Sequence, residues 1–231
     1  MSNHLLLIPG LLCTGELFRA QVASLSAMAN VTVADPSGAD NFQDLVRGIL
    51  DWAPPRFALA GLSMGGYLAF EIMRNAPDRV ERLALLDTSA RPDSAEQSEN
   101  RRRLVALAEK KGVSVPAREM FPKLVAPSLG GDETLRATFL EMAEAVGVSG
   151  FARQQAAIAG RPDSRSTLAV IACPTLVLGG EVEQLTPVEL SQEMANGIAG
   201  SRLAVVPGAG HLSPLEVPDK VTDELRAWLA G

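Results

Sequence analysis

The sequence predicts an α/β protein, a mostly parallel sheet covered by helices on both faces, with a helical insertion between two strands. Three observations carry this. Short apolar runs of β type alternate with stretches whose apolar residues recur at helical spacing. One strand-like run passes straight into a helical one through "GLSMGG" at 61–66. The stretch 89–172 holds helical patterns only and is far too long for an ordinary strand–helix connection.

Taken in order, Leu5–Ile8 reads as a first strand buried on both sides. Leu17, Phe18, Val22, Leu25 and Met28 then mark a helix. Val31–Ala34 is the second strand, closed by Asp35-Pro36, and Leu45, Val46, Ile49, Leu50 and Trp52 form a helix stopped by Pro54-Pro55. Phe57–Leu62 is the third strand, followed by a mostly buried helix bearing Tyr67, Leu68, Phe70, Ile72 and Met73. Leu83–Leu86, Pro174–Leu178 and Leu203–Val206 are the fourth, fifth and sixth strands. The closing helix carries Val221, Leu225, Trp228 and Leu229. In the insertion, Leu104–Lys110, Leu135–Val146 and Phe151–Ala159 are the helical patterns. The expected division is therefore a core of 1–88 and 173–231 with a helical cap of 89–172.

The chain has 231 residues, 47% hydrophobic and 21% charged, which suits one globular domain with a sizeable core. Its net charge of -6 gives no electrostatic reason to expect nucleic acid or an anionic membrane as partner. The run "HLLLIPGLLC" lacks a preceding basic stretch and is broken by Pro9-Gly10, so it reads as a strand rather than a leader or span. Cys13 and Cys173 have no metal-ligand or CxxC spacing. A reduced, cytoplasmic protein, monomer or homodimer, without cofactor or metal, is the expectation.

Chemistry concentrates in the bend at Ser63. Gly61 and Gly65 flank it where a strand turns at once into a helix and two backbones approach closely. Such a turn forces the apex residue toward positive φ and lifts its hydroxyl clear of the sheet at a helix N-terminus, where negative charge is favoured. A serine hydroxyl needs a base. Of the two histidines, His4 precedes the first strand, at the end opposite the strand C-termini, whereas His211 follows the last strand in "VVPGAGHLSPLEVP". His211 is therefore the candidate base. The order serine, acid, histidine places the acid in "LGGEVEQLTP", where Glu183 is the first choice. Glu181 in the same loop and Asp87 after the fourth strand stay open as alternatives. Acyl transfer also needs donors for a developing oxyanion, and position selects the N–H groups of Met64, after the serine, and Leu11, in the loop after the first strand. Cys13, in that same loop, reads as a small buried apolar residue rather than a second nucleophile.

Together Pro9-Gly10, the Gly61–Gly65 bend, "RLALLDTS", "PTLVLGGEVEQLTP" and "GAGHLSPLE" resemble the α/β-hydrolase superfamily, in particular small bacterial members with a helical cap. The resemblance spans essentially the whole chain and implies a six-stranded sheet, without the two leading strands of larger members. Two departures stand out: many relatives carry His-Gly in place of Pro9-Gly10, and most carry aspartate where this chain has Glu183. The implied activity is hydrolysis of a small carboxylic ester through an acyl-enzyme on Ser63, His211 and Glu183. Lactone, thioester or C–C bond hydrolysis on the same residues is the alternative, and a non-catalytic ligand-binding protein the rival class. Met120, Phe121, Phe139, Met142 and Phe151 are candidates to line an apolar pocket or to pack helices. The run Arg101-Arg102-Arg103 reads as solvated surface.

Overall fold

In a computed structural model that describes residues 4–231, the six apolar runs form one sheet. The chain runs β1 (His4–Ile8), a 3₁₀ turn (Gly15–Phe18), α1 (Arg19–Leu25), β2 (Asn30–Val33), α2 (Phe42–Trp52), β3 (Phe57–Leu62), α3 (Met64–Asn75) and β4 (Val80–Leu86). The helices α4 (Ala95–Lys111), α5 (Ser114–Leu124), α6 (Glu133–Ala159) and α7 (Arg165–Leu168) follow before β5 (Thr175–Gly180). Then come α8 (Val188–Gly197), β6 (Arg202–Val206), α9 (Ser213–Glu216) and α10 (Pro218–Ala230). The strand order is β2-β1-β3-β4-β5-β6, and all five pairings are parallel.

Period-two alternation divides the core between the two faces of the sheet. Leu5, Leu7, Ala58, Ala60, Leu176 and Leu178 pack on the face that carries Leu25 of α1 and Val221, Leu225 and Trp228 of α10. Leu6, Ile8, Leu59, Leu83, Leu85 and Val177 pack on the other, against Phe42 and Ile49 of α2, Phe70 of α3 and Met194 of α8. β3 is buried at every position, which is why it reads as a continuous apolar run, whereas the edge strand β2 is nowhere fully buried.

Between β4 and β5 the described chain is helical, as expected. α6 is interrupted at Gly147, whose φ of 70° breaks the helix between the two expected patterns. α5 is absent from the sequence expectation, because Pro116 and Pro122 obscure it. Pro116 falls in the first turn, where no N–H is needed, and Pro122 sits near the C-terminal end. The first helix stops at Leu25, leaving Met28 exposed rather than on its apolar face. Of the apolar residues weighed for a pocket, Phe121, Phe139, Phe151 and Met142 are packed in the core, joined to the sheet's α1 and α10 side. Among the described residues no helix is long and apolar enough to cross a membrane.

Candidate active site

Because every strand is parallel, the loops that follow β1, β3, β4, β5 and β6 emerge on one rim of the sheet. Backbone strain gathers there. Only three non-glycine residues among those described have positive φ, namely Leu12 (60°), Ser63 (54°) and Asp87 (43°), and each follows a strand on this rim. Such conformations cost about 1–3 kcal/mol each and persist only where the surroundings enforce them.

The bend at Ser63 shows what enforces it. A Cβ on Gly61 would lie 2.2 Å from Gly65 O, and one on Gly65 would lie 2.0 Å from Ile8 O. Both positions therefore exclude any side chain. Ser63 N donates to Leu86 O at 3.0 Å, while Ser63 O accepts from Thr88 Oγ1 at 2.8 Å and from Gly66 N at 2.9 Å. The backbone is thus held from both sides while the side chain faces a cavity of about 750 Å³.

Ser63, His211 and Leu11 line that cavity, and Glu183 joins them through His211. His211 lies 4% exposed in the loop after β6, and its Nδ1 pairs with Glu183 Oε2. Glu183 is fixed in turn: Oε1 accepts from Leu185 N at 2.6 Å and Oε2 from Thr186 Oγ1 at 3.1 Å. Ser63 and His211 line the same cavity, with no hydrogen bond joining them among the described residues. Gly10 abuts the serine, since a Cβ there would lie 3.4 Å from Ser63 Cβ, so Leu11 follows directly on the contact. Neither Leu11 N nor Met64 N has a hydrogen-bond partner among the described residues, leaving two donors unused near the serine.

Electrostatics fit a base and its orienting acid. Burial, the largest single influence, lowers the His211 pKa, but the charge and hydrogen bond of Glu183, with the nearby Asp87 and Glu216, together outweigh it and hold it above the ordinary 6.5. Burial, again the largest single influence, raises Glu183, and the charge and hydrogen bond of the facing imidazole with the Leu185 and Thr186 bonds together outweigh it, keeping the carboxyl below its usual range.

Neither alternative acid bonds His211 among the described residues. Glu181 is exposed and accepts from Gly208 N at 3.0 Å, tying two loops together. Asp87 is fully buried; its Oδ1 accepts from Gly180 N at 2.8 Å and its Oδ2 bonds Ser213 Oγ at 2.5 Å. Burial foremost, then the Glu183 charge, pushes the Asp87 carboxyl up to about 8. His4 opens β1, at the end remote from the rim. Cys13 is buried, and burial pushes its thiol up to about 12, which removes it as a nucleophile. Among the described residues no group of three or more His, Cys, Asp or Glu side chains is arranged to hold a metal.

The helical segment supplies the far wall, including Arg101, Leu104, Met120, Gln155 and Arg161. One sequence expectation is corrected at this wall. Arg102 and Arg103 are exposed, but the Arg101 side chain is only 18% exposed and bonds Asp93. Asp93, Gln155 and Arg161 carry no sequence signal of their own. Asp93 lies eight residues from Arg101, but Gln155 and Arg161 lie 54 and 68 residues from their partners, so no local pattern marks the cluster.

Residues 5–224 match the profile of the Alpha/beta hydrolase family. A thermophilic esterase from Thermogutta terrifontis, solved with malate bound, superposes with a TM-score of 0.88 at 33% identity, covering 98% of this chain and 89% of that one. The enol-lactonase from Burkholderia xenovorans LB400 superposes with a TM-score of 0.90 at 25% identity, covering 100% and 92%. A pimeloyl-acyl-carrier-protein methyl ester esterase of Aliivibrio salmonicida is 25% identical over 260 residues, spanning 99% of this chain and 92% of its own length.

Proposed function

Because the chain belongs to the alpha/beta hydrolase family and several of its relatives are named as esterases or lactonases, we propose that it cleaves carboxylic esters through an acyl-enzyme on Ser63. The observation that carries this reading is the buried His211–Glu183 pair, whose imidazole lines the same cavity as the strained serine and Leu11.

In this mechanism Ser63 Oγ attacks the ester carbonyl carbon while His211 Nε2 takes the hydroxyl proton. Glu183 holds Nδ1 protonated and stabilises the imidazolium. The carbonyl oxygen, now an anion, accepts from Leu11 N and Met64 N. Collapse of the intermediate breaks the C–O bond, and His211 passes its proton to the departing alcohol. A water, deprotonated by His211, then attacks the acyl carbon, and the reverse collapse releases the acid and restores the serine. Residues 89–172 act as a cap that closes the cavity over the reacting carbonyl. The likeness to an enol-lactonase supports extending the same steps to lactones, whose alcohol simply stays tethered.

The experiment is hydrolysis of a graded panel of p-nitrophenyl esters and lactones by the wild type and by Ser63→Ala. Turnover by the wild type and its loss in the variant are expected. A variant that keeps most of its activity contradicts the proposal.

A further inference from the structure

Opposite Ser63 lies a second polar cluster that the acyl-transfer steps leave unused. Arg101 Nε and Nη2 donate to Asp93 Oδ2 and Oδ1 at 2.5 and 3.1 Å, and its Nη1 donates to Gln155 Oε1 at 2.7 Å. Arg161 Nη1 donates to the same Asp93 Oδ1 at 2.5 Å, and its guanidinium lies 4.2 Å over the Tyr67 ring. All five residues line the cavity that holds Ser63.

Two guanidiniums here share one carboxylate. The Asp93, Arg161 and Arg101 side chains are 2%, 6% and 18% exposed, so the cluster keeps one positive charge in excess with little water to solvate it. Asp93 itself is ionised: burial would raise its pKa, but the two guanidiniums outweigh burial and hold it low. A buried excess charge is costly unless something answers it; Arg161 also donates to Arg91 O and Ile158 O, so the spare donors lie on Arg101. Two of the five Arg101 N–H groups remain uncommitted among the described residues. The Gln155 amide is oriented by the bond from Arg101 to its oxygen, and its Nε2 is buried without an acceptor. The charge is local, because the chain as a whole carries -6. Of the other charged residues lining the cavity, the exposed Arg91 and Arg165 pair with Glu193 and Asp163, and Glu96 and Lys123 carry opposite charges.

We propose that this cluster is a carboxylate-binding subsite, and that the substrate is an ester or lactone that also carries a free carboxylate. The proposal rests on the hydrolase reading above and adds the substrate class to it. The guanidinium fork of Arg101 suits a carboxylate in a way that a lone ammonium would not. Geometry also limits the length of the substrate. Tyr67 follows Ser63 by about one turn, roughly 6 Å along the helix, and long helical side chains lean back toward the N-terminus. The Arg161–Tyr67 stack therefore stands close to the serine. Because Arg101 and Arg161 share Asp93, we place the carboxylate a few carbons from the scissile carbonyl, as in monoesters of short dicarboxylic acids.

The test compares monomethyl succinate, glutarate and adipate with methyl esters of monocarboxylic acids of matched length, followed by acid release at constant pH. A charged hydrogen-bonded contact predicts a preference of about 10- to 100-fold in kcat/KM for one of the hemiesters, expressed mainly in KM. In Arg101→Gln that ratio falls toward one. A ratio taken within one protein is insensitive to partial loss of fold, which lowers both rates together. Competitive inhibition of neutral-ester turnover by the matching free dicarboxylate, weakened in the variant, is the second readout. Equal or better turnover of the neutral esters by the wild type overturns the subsite while leaving the serine hydrolase reading intact. No turnover of either class, with Ser63 unreactive toward a fluorophosphonate, overturns both.

Discussion

Replacing Glu183 with glutamine preserves the size of the side chain and removes its charge, and the surrounding hydrogen bonds dictate the consequence. The carboxylate accepts on every side: from Leu185 N, from Thr186 Oγ1 and from the His211 ring. An amide must turn its NH₂ one way or the other. Toward His211, it makes Nδ1 the acceptor, so the ring proton moves to Nε2 and the imidazole can no longer take the proton from Ser63. Toward Leu185, it sets two N–H groups against each other in a buried site, at a cost of about 1–3 kcal/mol. The first orientation is favoured, and with it the wrong tautomer. In serine hydrolases of known mechanism the equivalent change lowers kcat by about 10⁴-fold, or about 5.5 kcal/mol of barrier. Initial rates with p-nitrophenyl butyrate, read beside the Tm to show that the fold survives, measure this. The pH profile adds an independent check. In the wild type the acid limb of kcat/KM lies above 6.5, because Glu183 raises His211 and the base must be neutral to act. In Glu183→Gln the limb moves to lower pH. A variant that retains more than about a tenth of kcat would refute the assignment of the acid.

Three further outcomes rest on the same geometry. Gly65→Ala places a Cβ 2.0 Å from Ile8 O, and relieving that backbone overlap costs about 3 kcal/mol, which lowers Tm by roughly 6–12 °C in thermal unfolding; an unchanged Tm contradicts it. Asp87→Asn mimics the protonated acid. Because the folded-state carboxyl titrates near 8 against an ordinary 3.8, the wild type loses stability as pH rises between those values, and the variant gains on it from pH 5 to pH 8 in urea melts. A gap that is flat or opposite in sign would argue that Asp87 is ionised. Native Cys13 resists iodoacetamide at pH 8 and reacts only after unfolding, as peptide mass spectrometry would record; rapid native labelling would overturn its placement.

The sheet is legible in the sequence because its signal is local. Strands buried on both faces leave continuous apolar runs, and the Ser63 bend leaves glycines wherever two backbones meet. The candidate base is legible by elimination between two histidines. The acid is less so. Glu181 and Glu183 share one loop, and only the folded chain sends one to Gly208 and the other to His211. The far wall of the cavity is opaque. Arg101 belongs to a basic triplet that looks solvated, and its burial depends on Asp93 and on Gln155, which is 54 residues away. Conversely, four of the apolar residues weighed for the pocket serve as core, since periodicity marks a buried face without saying what covers it.

The account depends most on Ser63 being a nucleophile activated by His211. Incubation of the wild type with a fluorophosphonate, followed by peptide mass spectrometry, is expected to place one adduct on the Ser63 oxygen, with labelling strongly slowed in His211→Ala. An unlabelled Ser63 peptide, or equal labelling in the two proteins, would contradict it.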